Sequence, residues 1–416
     1  MGEEIDNERA TLELKATLTV LSERHGYYSQ RIVLREWYFD RKLLNFGGAG
    51  YVGPGAFHFH DLGLRIADTD TNAHGYWTPP QAIAEHIKHQ AERTTDRLLP
   101  VPLEKRNPNF DKFHSTFDDK LRGLQIDDTV RINAFSEKEI VISKATYLDQ
   151  VGTNITPDEP IQSSDERYSG KTVRQVDSYR TGQIKPFDEC VAANTIGVAA
   201  ICIDAKGELL IPFREHSGAN MRTDDYRQRL GAMERGWHCF SSGVLEWRDI
   251  AAAVETGKIE EFCKGLTIGI QREIFYETGI RPEENAYKIT PYAFARELKR
   301  PGKPQFFFLI RFHSLNSKEI MEKINDNISR GIVQEDSEYA YESMKLSRAH
   351  LMDLLAGKKL KRRRFWVTNI SADAFVSESF LTKFANERHE GDGPTYELYG
   401  GLCLLRDAYK RGKLQW

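Results

Sequence analysis

Apolar positions in this chain follow two patterns. Short runs rich in β-branched and aromatic residues read as strands, and longer runs with apolar residues three and four apart read as helices. Among the first 150 residues, "ATLTVLSERHGYY", "QRIVLREWYF" and "KLLNFGGAGYVG" are strand-like segments separated by turns. "PQAIAEHIKHQAERTTDRLL" is opened by proline and spaced as a helix, and "TVRINAFSEKEIVISKATYL" reads as two strands around a polar turn. Residues 151–185 are polar and lack a sustained period, the composition of a linker.

Beyond residue 185 the patterns sharpen. "NTIGVAAICIDAKGELLIPFREH" has the form of a hairpin: residues 196–203 are almost continuously apolar, "DAKGE" turns the chain, and "LLIPF" returns. "GWHCFSSGVLEW" is strand-like, "GLTIGIQREIFYETGI" is helical, and "PQFFFLIRFHSL" is a strongly apolar strand. "LSRAHLMDLLAG" reads as a short helix ended by Gly357, followed by the basic run "KKLKRRRF" and further helices towards Trp416. Strands and helices in this order predict an α+β or α/β fold, with a helix packed on a mixed sheet. The expected division is a β-rich domain over 1–150, a linker over 151–185, and a second domain over 186–416.

Length and charge narrow this picture. A chain of 416 residues exceeds the usual size of one core, which points to two or three domains. Charged residues make up 29% and apolar residues 40%, a balance that excludes a disordered chain. A formal net charge of -3 offers no global field for nucleic acid, so a polyanion would need a local patch. No apolar stretch is long enough for a bilayer, and the acidic start lacks the layout of a secretory signal. Gly2 is followed by Asp6 where a myristoylation signal carries Ser or Thr. Cys190, Cys202, Cys239, Cys263 and Cys403 are scattered without a CxxC pair, which predicts buried thiols in a reducing, cytoplasmic setting.

Candidate chemistry centres on "REIFYETGI", residues 272–280. Positions four apart share a helix face, so Glu273 and Glu277 stand one turn apart, with Leu266, Ile270 and Ile274 forming a parallel apolar stripe. Two readings follow from these residues: an ordinary solvated face, or a hard-oxygen site suited to Mg²⁺ or Mn²⁺. Arg272 is placed to orient one carboxylate, and Gly279 permits a left-handed helix end.

"SSGVLEWRD" followed by "REIFYETGI" resembles the Nudix box, G-x5-E-x7-R-E-U-x-E-E-x-G-U with U apolar. Gly243 stands at the opening glycine and Asp249 at the first acidic position. Arg272, Glu273, Ile274, Glu277, Gly279 and Ile280 supply the rest. "GVAAICIDAKGELLIPFRE", "GWHCFSSG" and "QFFFLIRF" resemble the flanking strands, and the likeness covers residues 190–360. Two departures stand out: the spacing from Asp249 to Arg272 is lengthened by part or all of "IAAAVETGKIEEFCKG", and Tyr276 replaces the first Glu of the Glu-Glu pair. An insertion in a loop is tolerable, whereas a phenol is a poor Mg²⁺ ligand at neutral pH.

The resemblance implies a C-terminal Nudix-type α/β/α sandwich beside a separate β-rich N-terminal domain. It implies a metal-dependent hydrolase that cleaves the pyrophosphate of a nucleoside diphosphate linked to another group. Glu273 and Glu277 are then the metal ligands, with the Gly243 carbonyl as a further oxygen, and Arg272 orients Glu273. "QEDSEYAYESMKL" offers Glu335, Asp336, Glu338 and Glu342 as the remaining acid, with Glu338 preferred, and Arg214 is placed to face phosphates. Asp249 or Glu246 is the substitute for the carboxylate missing at Tyr276. Two alternatives stay open: a degenerate nucleotide-binding sensor coupled to the N-terminal domain, and a protein-interaction module. The implied partner is a nucleotide-derived small molecule, and pairing into a homodimer is common in the family.

Other constellations carry weaker chemistry. His58, His60, Asp61 and His74 offer metal-ligand atoms, but nothing fixes their mutual geometry. The run at 358–365 reads as a solvated face without aromatic interleaving, so nucleic acid is not the expected partner. "GYWTPP" and "GGAGYVGPG" lack the strand-to-helix setting of a phosphate loop and read as turns.

Overall fold

A computed structural model describes residues 37–38, 63–67, 75–95, 128–136, 138–179, 184–214, 236–281, 287–297, 300–330, 365–368 and 396–410. These residues form a mixed α+β structure with two sheets. The smaller sheet has the order β2-β4-β3, from Gly63–Ile66, Glu139–Ala145 and Thr129–Phe135. The larger one has the order β1-β9-β10-β5-β6-β11. Its members are Trp37–Tyr38, Tyr287–Glu297, Lys303–Phe312, Gly197–Ile203, Leu209–Arg214 and Phe365–Thr368. Two short strands branch from it: β7 (Gly236–Trp237) pairs with β6, and β8 (Ser241–Val244) pairs with β5.

Strand β5 sits at the centre, parallel to β10 and antiparallel to β6 and β8. A strand buried on both faces reads as a continuous apolar run, which is why residues 197–203 alternate so little. The hairpin turns at Gly207, with φ 78°, where the Gly207 amide donates to Asp204 O at 3.0 Å. Residues of β10 alternate between two layers. Phe306, Phe308 and Ile310 join the core cluster that holds Leu266, Ile270 and Ile274. Phe307 points the other way, against Tyr292 and the helix Tyr396–Lys410, whose Gly401 carbonyl accepts from Tyr292 OH at 2.9 Å. Helices therefore cover both faces of the large sheet.

The helix that carries the candidate carboxylates, α1 here, runs Ile259–Thr278. Ile259, Phe262, Leu266, Ile270 and Ile274 are buried at helical spacing, each worth roughly 1.5–3 kcal/mol on transfer from water. Gly279 ends the helix at φ 69°, and its amide donates to Phe275 O at 2.7 Å. Asn327, from α2 (Ser317–Ser329), donates to Thr278 O at 3.0 Å and satisfies one of the last carbonyls. The lengthened spacing of the box is accounted for by structure: it forms the helix Ala251–Thr256, a left-handed Gly257 and the first turns of α1.

Backbone hydrogen bonds cross the boundaries expected at 150 and 185. The Val130 amide donates to Leu245 O at 3.0 Å, Ile196 to Val130 O at 2.8 Å, and Trp247 to Asp128 O at 2.8 Å. Val130, Ile132, Ile140 and Ile142 share one core cluster with Val198, Leu245 and Leu266. Residues 151–185, read from composition as a linker, contain short helices whose Ile161 and Val173 are buried with Ile83, Ile87 and Val191. Their polar residues serve as internal caps: Thr172 accepts from Gln175, and Asp177 accepts from the Val191 and Ala192 amides at 2.7 and 2.9 Å.

One buried cation gives the fold a pH dependence. Burial, aided by Arg300 and opposed by Glu297 and Glu397, pulls the Lys303 ammonium down to about 8 from an ordinary 10.5. Between those values the unfolded chain holds more proton than the folded one, so stability from this group rises with pH and is lost as pH falls through about 8. Denaturant titrations of wild type and Lys303→Met should show wild type gaining on the order of 2 kcal/mol over the variant between pH ~7.5 and ~10. A difference that stays flat across that range would contradict the assignment.

Candidate functional site

Two glycines let the site assemble. Gly265 and Gly269 lie on α1 facing the turn Trp247–Ile250. A Cβ at Gly265 would stand 2.9 Å from Asp249 O and 2.6 Å from Ile250 Cγ2, and one at Gly269 would stand 2.7 Å from Leu245 Cδ1. The turn is closed by its own side chain, since Asp249 Oδ2 accepts from the Glu246 amide at 2.9 Å. Close packing of the turn on the helix brings Asp249 within reach of Arg272.

Arg272 is the hub. Its Nε and Nη2 donate to Asp249 Oδ1 and Oδ2 at 3.1 and 3.0 Å, a bidentate pairing. Nη2 also donates to Val244 O at 2.8 Å. Nη1 lies 2.8 Å from both Glu273 Oε1 and Glu246 Oε1. The Arg272 side chain is 11% exposed and that of Asp249 2%. Burial alone would weaken the guanidinium's hold on its proton, but Glu273, Asp249 and Glu246 together outweigh it and raise the pKa.

Glu273 lies over Gly243, where any Cβ would run into its carboxylate. Glu277, one turn on, is 8% exposed. The helix face bearing the two glutamates is thus enclosed rather than solvated. Tyr276 accepts from Arg248 Nη2 at 2.9 Å, and its ring centre is 5.5 Å from the Arg272 guanidinium carbon. Arg248 Nε in turn is 2.5 Å from Glu246 Oε2.

The structure brings together Gly243, Arg272 and Glu273, with Glu277 a turn away on the same helix. Asp249 and Glu246, anticipated as substitute acids at Tyr276, are instead ion-paired to Arg272. Arg214 ends β6, and nothing is described of its side chain. Glu335, Asp336, Glu338 and Glu342 lie outside the described residues, as do His58, His60, Asp61, His74, the helix ended by Gly357 and residues 358–364. Sequence reasoning missed Arg248, which "SSGVLEWRD" contains, and the Gly-x3-Gly spacing at 265 and 269 that admits the turn.

Among the described residues, no group of three or more His, Cys, Asp or Glu side chains is gathered as a metal cage. Glu273 and Glu277 do supply hard oxygens of the type Mg²⁺ takes, and Arg272 holds one Glu273 oxygen while fixing the carboxylate's orientation. The donor chemistry therefore fits a hard divalent cation, with the further acid expected from Glu338. Among the described residues, no helix is long and apolar enough to cross a membrane. No protein-family model matches the chain, and no curated protein matches it.

Proposed function

We propose that this protein is a Nudix-type, metal-dependent hydrolase that cleaves the pyrophosphate of a nucleoside diphosphate linked to another group. What carries the reading is the pairing of Glu273 and Glu277 on an enclosed helix face, with Glu273 clamped by Arg272 and seated over Gly243. Glu273 and Glu277, with the Gly243 carbonyl and Glu338, would hold Mg²⁺ or Mn²⁺. Bound there, the cation supplies charge neutralisation for the pyrophosphate and acidifies a water molecule. Arg272 keeps the Glu273 carboxylate in register, and Asp249 and Glu246 hold Arg272. Cys190, Cys202, Cys239 and Cys263 are free thiols, which supports a reducing, cytoplasmic setting.

One observation favours a second reading, a nucleotide-binding sensor without turnover: Tyr276 occupies a carboxylate position and its phenol is engaged by Arg248. Release of nucleoside monophosphate from a panel of NDP-linked compounds, with Mg²⁺ or with chelator, separates the two. The hydrolase predicts metal-dependent turnover that falls at least about a hundredfold in Glu277→Gln. Saturable binding with no turnover under any metal would establish the sensor instead. Absence of both binding and turnover would remove the nucleotide altogether.

A further inference from the structure

Where the Nudix pattern carries a carboxylate, this chain sets a guanidinium on a phenol. Arg248 bonds to Tyr276 OH at 2.9 Å and to Glu246 at 2.5 Å, so two partners on different elements fix its position. Its side chain is 54% exposed, whereas that of Arg272 is 11% exposed. The two arginines thus divide the work. Arg272 is enclosed among Asp249, Glu246 and Glu273, while Arg248 stands at the rim of the same carboxylate face.

We propose that Arg248 receives a phosphate group of the ligand, held in place for this by Glu246 and Tyr276; the proposal rests on the Nudix-type reading of the site. The identity of residue 276 supports it. A phenol is an uncharged acceptor, able to orient a guanidinium without cancelling its charge. A glutamate there would form a full ion pair with Arg248 and compete with any incoming phosphate. Glu246 is shared with Arg272, so it does not neutralise Arg248 by itself. A planar guanidinium with an exposed edge is well matched to phosphate oxygens, which accept parallel hydrogen bonds from it. Tyr276 is then more than a lost metal ligand: it is the support for a substrate-facing cation.

Isothermal titration with ADP and with inorganic pyrophosphate, in chelator and in Mg²⁺, tests this on the full chain. Arg248→Ala should weaken both probes about tenfold or more under both conditions, and Arg248→Lys should recover part of the loss. Tyr276→Glu should weaken binding in chelator, the opposite of what restoring a box carboxylate would do if residue 276 served only metal. Thermal unfolding of each variant checks that the half-exposed position leaves the fold intact. Wild-type binding that Arg248→Ala leaves within about twofold overturns the role of Arg248 and spares the hydrolase. If wild type binds neither probe and turns over no NDP-linked compound, the Nudix-type reading fails and this assignment fails with it.

Discussion

Replacing Arg272 with Ala should destabilise the fold by on the order of 3–5 kcal/mol and abolish turnover. The reason is what the guanidinium leaves behind. Asp249, Glu246 and Glu273 all lie within 3.0 Å of it, and their side chains are between 2% and 14% exposed. Without it, three carboxylates repel one another in a poorly hydrated space, and the Val244 carbonyl loses its donor. The turn Trp247–Ile250 then has no ionic tie to α1, and Glu273 has nothing to hold it over Gly243. Arg272→Lys keeps the charge but offers one compact donor group where three acceptors on separate elements are bridged by a fork, so it should restore only part of the stability. Denaturant unfolding of the variants gives the first quantity, and nucleoside monophosphate release gives the second. An Arg272→Ala protein within about 1 kcal/mol of wild type would show that the cluster is not the joint between turn and helix.

Asp177→Ala is expected to have a comparable effect on stability, for a different reason. Asp177 is fully buried and accepts from two consecutive backbone amides, Val191 and Ala192. Those residues lead the chain into β5, and the neighbouring Arg131 donates to Cys190 O and Ala192 O. Removing the carboxylate strands two buried N–H groups and leaves Arg131 and Arg296 less compensated, a combined loss on the order of 3–5 kcal/mol. Burial pushes the Asp177 carboxyl up to about 6 from an ordinary 3.8, against the pull of the two amides and the two arginines. The folded state therefore binds this proton more tightly, and the group's contribution is full below about 4 and lost as pH rises through about 6. The gap between wild type and Asp177→Ala should accordingly widen as pH falls across that window. A gap that narrows there would place the source of the stabilisation elsewhere.

Several elements were legible because one strong pattern determines each of them. The Leu266, Ile270 and Ile274 stripe, the continuous apolar run of β5 and the aromatic run of β10 lie in the expected elements. The start of α1 was misread. Gly265 suggested a beginning, whereas the helix opens at Ile259 and uses Gly265 for close approach of the turn. The polar stretch over 151–185 resembled a linker because caps and linkers draw on the same residues. Thr172, Gln175 and Asp177 bond to backbone inside the fold, a difference that composition does not register.

At the site, the pair Glu273 and Glu277 and the adjacent Arg272 were apparent from helical spacing alone. The partners of Arg272 were not, because Asp249 and Glu246 come from a turn separated from α1 by an intervening helix. No local period relates residues brought together by tertiary contact. Arg248 was missed for the same reason: its contact with Tyr276 joins positions 28 residues apart.

The ladder between β3 and the segments that flank β5 and β8 also governs how the chain can be made. Thr129 pairs with Glu246 and Arg131 with Thr195, so the edge of β3 must wait during synthesis for sequence on the order of a hundred residues downstream. Until the ribosome has delivered that segment, Val130 and Ile132 lack their eventual neighbours and remain open to wrong pairing. A nascent chain stopped near residue 190 should therefore be a client for chaperones rather than a finished first domain.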